Sequence, residues 1–168
     1  METAVEMDRI RDEILEATLP NVIFDSWSEL ALRDGARMAG YDAGMALRAF
    51  PGGVRDLVEH FGAWTDRRML EAMRHHPLAE MRTGDRVRLA VRSHFEVLEP
   101  HREAKRRLLA YLAMPQNLGL GMTLLYRTVD AMWFAAGDQA ALLSALELGW
   151  SVTARARADG TLELRGVR

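Results

Sequence analysis

The stretch that decides the fold reads Ala36-Arg37-Met38-Ala39-Gly40-Tyr41-Asp42-Ala43-Gly44-Met45-Ala46-Leu47-Arg48-Ala49-Phe50-Pro51-Gly52-Gly53. A glycine near its middle, an aspartate in a capping position and a Phe-Pro-Gly-Gly stop describe two short helices joined by a tight turn. Ser26, with Glu29 three residues on, reads as a capping box. The helix it opens would bury Leu30, Leu32, Ala36 and Ala39 and end at Gly40. Asp42 would cap the next, which turns Met45, Ala46 and Ala49 inward. Before them, Ile10, Ile14, Leu15 and Thr18 recur at helical spacing from Asp8 to Leu19, and Pro20 is expected to end that helix.

Downstream the chain stays helical. Val54 to about His76 carries Leu57, Val58, Phe61, Trp64, Met69 and Met73 on one face, and Pro77 closes it. After Thr83-Gly84-Asp85, Val87, Val91, Phe95 and Leu98 form a stripe up to Pro100. Arg102 to Met114 places Leu108, Leu109 and Leu112 together before Pro115. Asn117 to Gly137 is apolar almost all round, the pattern of a buried central helix. The fold class is therefore all-α, about eight helices. It divides into a helix-turn-helix-like unit over 1–53, a helical bundle over 54–150 and a tail over 151–168. In that tail Val152, Ala154, Ala156 and Ala158 alternate with polar residues up to Asp159-Gly160, and Leu162 and Leu164 alternate after it. This is a hairpin signal, but an isolated hairpin is marginal in water, so hairpin and frayed tail both stay open.

Composition narrows the function. At 168 residues the chain can bury about 70% of its unfolded surface, and 49% apolar with 27% charged residues excludes wholesale disorder. It has no cysteine, which excludes disulfides, thiolate zinc sites and cysteine nucleophiles. No run of 18 apolar residues spans a membrane and the acidic N-terminus is no signal peptide, so a cytoplasmic protein is expected. The five histidines offer no i, i+4 pair with a carboxylate, and none of the five serines sits in a nucleophile elbow. Gly119-Leu120-Gly121 is too short for a phosphate loop. Neither catalysis nor a metal nor a cofactor has a visible carrier.

Charge is uneven. Residues 1–62 hold six basic and twelve acidic residues, net −6, while 63–168 carry net +4. The opening three helices and the long helix after them resemble the N-terminal part of TetR-type regulators. A DNA reader of that kind would use Asp42 to Phe50 as its recognition helix, yet this segment has Arg48 as its only cation. An aspartate where phosphate should dock, in an acidic half, argues against nucleic acid. A DNA-binding regulator stays the alternative reading.

A second resemblance covers more of the chain. Arg11-Asp12-Glu13-Ile14-Leu15-Glu16-Ala17, Phe24-Asp25-Ser26-Trp27-Ser28 and Phe50-Pro51-Gly52-Gly53 with Asp56-Leu57 resemble the family of the ninth ubiquinone-biosynthesis COQ protein. So do Trp64 to Leu70, Glu99-Pro100-His101-Arg102, and Arg127 to Trp133 running on to Ala136-Gly137-Asp138-Gln139. The blocks keep their order over about residues 8–139. The resemblance implies a TetR-like fold that no longer regulates transcription, with a cavity for isoprenoid or phospholipid, in a homodimer. It implies a non-catalytic protein that presents a quinone precursor to the demethoxyubiquinone hydroxylase. A long isoprenoid needs apolar, adaptable walls. Met69, Met73, Phe95, Leu112, Met122, Leu125, Tyr126, Val129 and Trp133 are the candidate lipid contacts. Asp130, Met132, Gly137, Asp138 and Gln139 match positions of the family's hydroxylase-contacting surface. Asp130 in so apolar a helix has a bland alternative as well, a bond to an arginine such as Arg127.

The family pattern stops there. Ala140-Ala141-Leu142-Leu143-Ser144 stands where the family has a polar, aromatic stretch, and its terminal amphipathic helix is replaced by an Arg/Ala tail. With one lysine, Lys105, among 22 basic residues, the composition fits a GC-rich genome. A bacterial member with a divergent C-terminus is expected. Arg82, Arg86, Arg88, Arg92, Arg102, Lys105, Arg106 and Arg107 concentrate cations that would favour peripheral contact with the inner face of a membrane; a solvated, ion-paired face is the alternative.

Overall fold

A computed structural model describes residues 4–136 and two strands, 151–156 and 162–167. Within them lie seven α-helices: α1 (Ala4–Asp25), α2 (Glu29–Met38), α3 (Ala43–Ala49), α4 (Val54–Arg74), α5 (Thr83–Leu98), α6 (Arg102–Leu112) and α7 (Leu118–Ala136). Single 3₁₀ turns at Leu78–Glu80, Glu99–His101 and Pro115–Asn117 join the later ones. The architecture is all-α over residues 4–136 and consistent with a TetR-like helical fold. At the end of the chain β1 (Ser151–Ala156) pairs antiparallel with β2 (Leu162–Val167), Ser151 opposite Val167 and Ala156 opposite Leu162. Of the two readings of this tail, the antiparallel pairing of β1 with β2 is the one a hairpin implies. Two compact units divide the chain, one of residues 1–65 with 97–125 and the other of 66–96 with 126–168.

The first unit is built on α1, which packs against α2, α3 and α6. Contrary to expectation, α1 does not stop at Pro20 but runs through it to Asp25. An interior proline costs a helix roughly 3 kcal/mol. Leu19 and Val22, on either side of it, are 2% and 0% exposed. Burying two such side chains gains about 1.5–3 kcal/mol each, so tertiary packing outweighs the break. Thr18, also buried, returns its hydroxyl to the carbonyl of Ile14 at 2.7 Å.

The helix ends also differ from the sequence reading in one place. Ser26 is no cap of α2: it sits at φ 57°, with its N–H bonded back to the Val22 carbonyl at 3.0 Å, closing α1. The cap of α2 is Ser28, extended at φ −139°, whose Oγ accepts from the Ala31 N–H at 3.2 Å. Glu29, freed from a capping box, reaches across instead. Its Oε1 accepts the Val54 N–H at 3.0 Å and so caps α4, 25 residues away. Asp42 does cap α3, accepting from Met45 N–H at 2.7 Å. At the turn between α2 and α3, Gly40 takes φ 86° while Tyr41 N–H bonds the Ala36 carbonyl, a left-handed helix ending that suits glycine.

Beneath these helices lies an aromatic row. Trp27 and Phe61 stand 5.2 Å apart, Phe61 and Trp64 stack at 6.0 Å, and Trp64 meets His101 edge-on at 5.5 Å. The Trp27 indole N–H donates to the Ala104 carbonyl at 3.0 Å, which fixes α6 in the same core. In the second unit Met69, Met73 and Ala90 form a separate buried cluster, with Leu70, Leu78, Leu89, Ala131 and Met132 packed round it.

Candidate functional site

Helix α7 carries most of the candidate residues, and its faces are unlike one another. Leu120 and Leu124 are buried at 1% and 9%, while Leu118, Met122, Leu125, Tyr126 and Val129 are exposed at 40–63%. Spacings of 4, 3, 1 and 3 put the exposed five on one face of the helix. The expectation of an all-round buried central helix therefore does not hold. The segment is apolar throughout, yet the first unit covers only its Leu120–Leu124 side, and composition alone does not supply a neighbour for the other. Five exposed large apolar side chains in one stripe are uncommon on a protein surface that has no partner.

The remaining lipid candidates separate. Met69 and Met73 are fully buried in the methionine cluster of the second unit. Leu112 is half-buried against the core of the first. Phe95 is 66% exposed and lies edge-on to His94, 5.9 Å between centroids. Trp133 is half-buried. Of the partner candidates, Met132 packs on the Met69–Met73 cluster and Asp130 is exposed. Gly137, Asp138 and Gln139 lie outside the described residues, as does the departure from the family pattern after them.

Sequence reading missed Asp66. It is 6% exposed, with Arg127 Nε 3.9 Å from its Oδ2, so the acidic neighbour found for Arg127 is Asp66 rather than Asp130. A signal was available: Asp66 stands three and seven residues before Met69 and Met73, on their inward face. His94 is buried too, at 8%. His60 pairs with Asp12 at 2.7 Å, tying α4 to α1. Among the described residues no group of three His, Cys, Asp or Glu side chains is placed to hold a metal ion.

The would-be recognition helix α3 is seven residues long, with Asp42 at its start and Leu47 68% exposed. Arg48 points a guanidinium nitrogen at Met45 Sδ, 3.4 Å away. This surface has almost nothing to offer a phosphate, and the DNA-binding reading is not favoured. Four of the eight clustered cations are ion-paired in place. Arg88 pairs with Asp85 at 2.8 Å, Arg102 with Glu99 at 3.4 Å, and Arg106 and Arg107 share Glu103 at 2.9 and 3.2 Å. The Arg106 hydrogen bond holds the Glu103 carboxyl below its ordinary range. Among the described residues no single helix is long and apolar enough to cross a membrane.

No protein-family model matches the chain. Curated relatives do. It is 31% identical over 139 residues to the "Ubiquinone biosynthesis protein COQ9, mitochondrial" of Rattus norvegicus, covering 79% of this chain and 44% of that protein. The human protein of the same name is 30% identical over 139 residues, 79% and 43% of the two chains. That of Drosophila melanogaster is 26% identical over 154 residues, 86% and 44%. The chain thus spans less than half the length of these relatives. Over about four-fifths of its own residues, it is similar to proteins that carry the COQ9 name.

Proposed function

We propose that this chain is a COQ9-type accessory protein of ubiquinone biosynthesis. It is non-catalytic and binds an isoprenoid quinone precursor or phospholipid, presenting the precursor to the demethoxyubiquinone hydroxylase, as a homodimer that touches the membrane surface. The observation that carries this reading is the exposed face of α7: Leu118, Met122, Leu125, Tyr126 and Val129. Covering five such side chains would gain on the order of 5–10 kcal/mol before association costs. That face lies within the region of likeness to the COQ9 proteins and includes four of the lipid candidates. Its chemistry is that of a wall for a hydrocarbon chain, with Tyr126 supplying a polar tip. Beside it on the same helix, Asp130 offers a charge to a protein partner. Membrane contact draws on this apolar face together with the cation cluster, half of whose charges are paired in place.

Native mass spectrometry of freshly purified protein, followed by organic extraction, tests the reading. The expected result is a dimer mass that carries a stoichiometric isoprenoid or phospholipid. Met122→Asp with Leu125→Asp should release that lipid while leaving the circular dichroism of the fold in place. A wild-type mass without bound lipid, and nothing in the extract, would overturn the proposal.

A further inference from the structure

Helices α6 and α7 meet at a corner on the first unit, where Ala113 and Met114 lead into the 3₁₀ turn of Pro115–Asn117. Leu109 of α6 and Met114 of the corner are 58% and 38% exposed, and Leu118, four residues on, opens the outward face of α7. Resting on the lipid-presenting reading above, we propose that this corner is the part of the chain that enters a membrane, and that it selects bilayers rich in anionic phospholipid.

Charge is sorted along α6. The helix carries four basic residues and one acidic, Glu103, net +3. Arg102, Lys105, Arg106 and Arg107 all stand in its first half, and from Ala104 to Val129 the sequence has no aspartate or glutamate. Part of this charge is answered locally. Arg102 pairs with Glu99, while Arg106 and Arg107 share the single carboxylate of Glu103. With Glu99 counted, the four cations still leave net +2. Helix α1 is acidic, but its Glu16 shares a pocket with His101 and Glu103, at the start of α6 and not at its end. A negatively charged surface therefore draws the corner forward.

Beyond Arg107 the character changes. The exposed residues up to Leu118 are Leu109, Ala110, Ala113, Met114 and Pro115, with Gln116 the polar exception, its amide 3.6 Å from Met114 Sδ. Asn117 turns inward and donates its amide to the Tyr111 carbonyl at 2.9 Å, and the Thr123 hydroxyl donates to the Gly119 carbonyl at 3.0 Å. Polar groups that already have partners cost less to carry out of water. The corner is also firm, since a Cβ on Gly121 would stand 3.5 Å from Leu112 Cβ, with α7 lying on the end of α6. From Arg106 to Leu112 the helix rises about 9 Å. The cations therefore sit at headgroup level when the corner sinks the roughly 5–10 Å usual for interfacial segments.

The sequence has no cysteine, so a single labelled one reports its own surroundings. The whole chain with Met114→Cys, carrying an environment-sensitive fluorophore, is mixed with two kinds of vesicle. One is phosphatidylcholine alone, the other phosphatidylcholine and phosphatidylglycerol at roughly three to one. The label should shift to the blue with the anionic vesicles, which should bind about tenfold more tightly than the neutral ones, and the difference should vanish between about 0.1 and 0.5 M salt. The same label at Leu47→Cys, exposed on α3, should stay unmoved.

Leu109→Asp with Met114→Asp should abolish flotation with anionic vesicles while the bound lipid in native mass spectrometry and the circular dichroism stay as in the parent. Arg102→Gln with Arg106→Gln, both exposed, removes no apolar side chain and should weaken flotation roughly fivefold. A parent chain that ignores anionic vesicles yet carries extractable lipid would overturn the corner and leave the lipid-presenting reading standing. Vesicle binding without extractable lipid would do the reverse. Equal binding to both kinds of vesicle, flotation kept by the double aspartate variant, or a Met114 label already blue-shifted without vesicles, as under a second copy, would each overturn the proposal.

Discussion

Helices α1 and α7 are opposites. By composition α7 is the more apolar, with two charges, Arg127 and Asp130, in 19 residues, against eight charged residues and an internal proline in the 22 of α1. Yet α1 is the organising helix of its core, with Ile10, Ile14, Leu15, Thr18, Leu19 and Val22 buried. On α7 five large apolar side chains face outward. Burial follows from neighbours, not from apolar content. Helix α1 has α2, α3 and α6 closed on it, whereas none of the described residues closes over the outer face of α7.

The sharpest way to break this contrast is a pair of glycines. A Cβ on Gly35 of α2 would stand 1.9 Å from Thr18 Oγ1 and 2.7 Å from Thr18 Cα, so backbone must move. Gly35→Ala should destabilise the fold by about 3 kcal/mol in urea unfolding, as overpacking does. On α7 a Cβ at Gly119 meets nothing within 4 Å. Gly119→Ala should stabilise by about 0.5–1 kcal/mol, the ordinary helix preference. Equal effects at both sites would mean that α1 and α2 are not in close contact.

The next test concerns how the packed half is pinned. Glu29→Ala leaves the Val54 N–H without its acceptor and should cost about 1 kcal/mol, the size of a lost helix cap. Glu29→Gln keeps an acceptor oxygen and should cost less. Equal losses from both would show that charge rather than the cross-helix hydrogen bond matters there.

How much of this could be read from sequence follows from the same contrast. Local chemistry was legible: the Asp42 cap and the Gly40 turn each depend on residues within a few positions. The Pro20 stop and the Ser26 cap were misread because distant partners decide them. Pro20 is held in helix by the burial of Leu19 and Val22, and Glu29 serves Val54 instead of its own helix end. Within the candidate site the helical spacing was legible, since Met122, Leu125, Tyr126 and Val129 do share a face. It was not legible as geometry: Met69 and Met73 went into a closed cluster, and inward-facing Asp66 was passed over for Asp130.

The exposed face should behave in the reverse way to the packed one. Leu118, Met122 and Leu125 changed together to Ser should alter unfolding free energy by no more than about 0.5 kcal/mol per site, as surface positions do. The same protein should lose its bound lipid in native mass spectrometry. A large stability loss in protein already stripped of lipid would place these side chains in a core and erase the contrast.

The smallest effect lies on the packed side and depends on pH. The Tyr41 hydroxyl donates to Glu13 at 2.5 Å, joining the α2–α3 turn to α1, and Glu13 also pairs with Arg9. The hydrogen bond to Glu13 pushes the Tyr41 pKa above its ordinary value of 10.0. A group whose folded pKa is raised contributes stability in full below its unfolded pKa, and that contribution fades as pH climbs through the folded one. Native Tyr41 should therefore exceed Tyr41→Phe in stability by a constant small margin from pH 7 to about 9.5. Above pH 10 the margin should shrink, since ionised tyrosine beside the Glu13 carboxylate is repelled rather than bonded. Unfolding curves of the two proteins at stepped pH read this directly. A margin that is flat through pH 11 would mean that the Tyr41–Glu13 bond contributes nothing to holding the turn on α1.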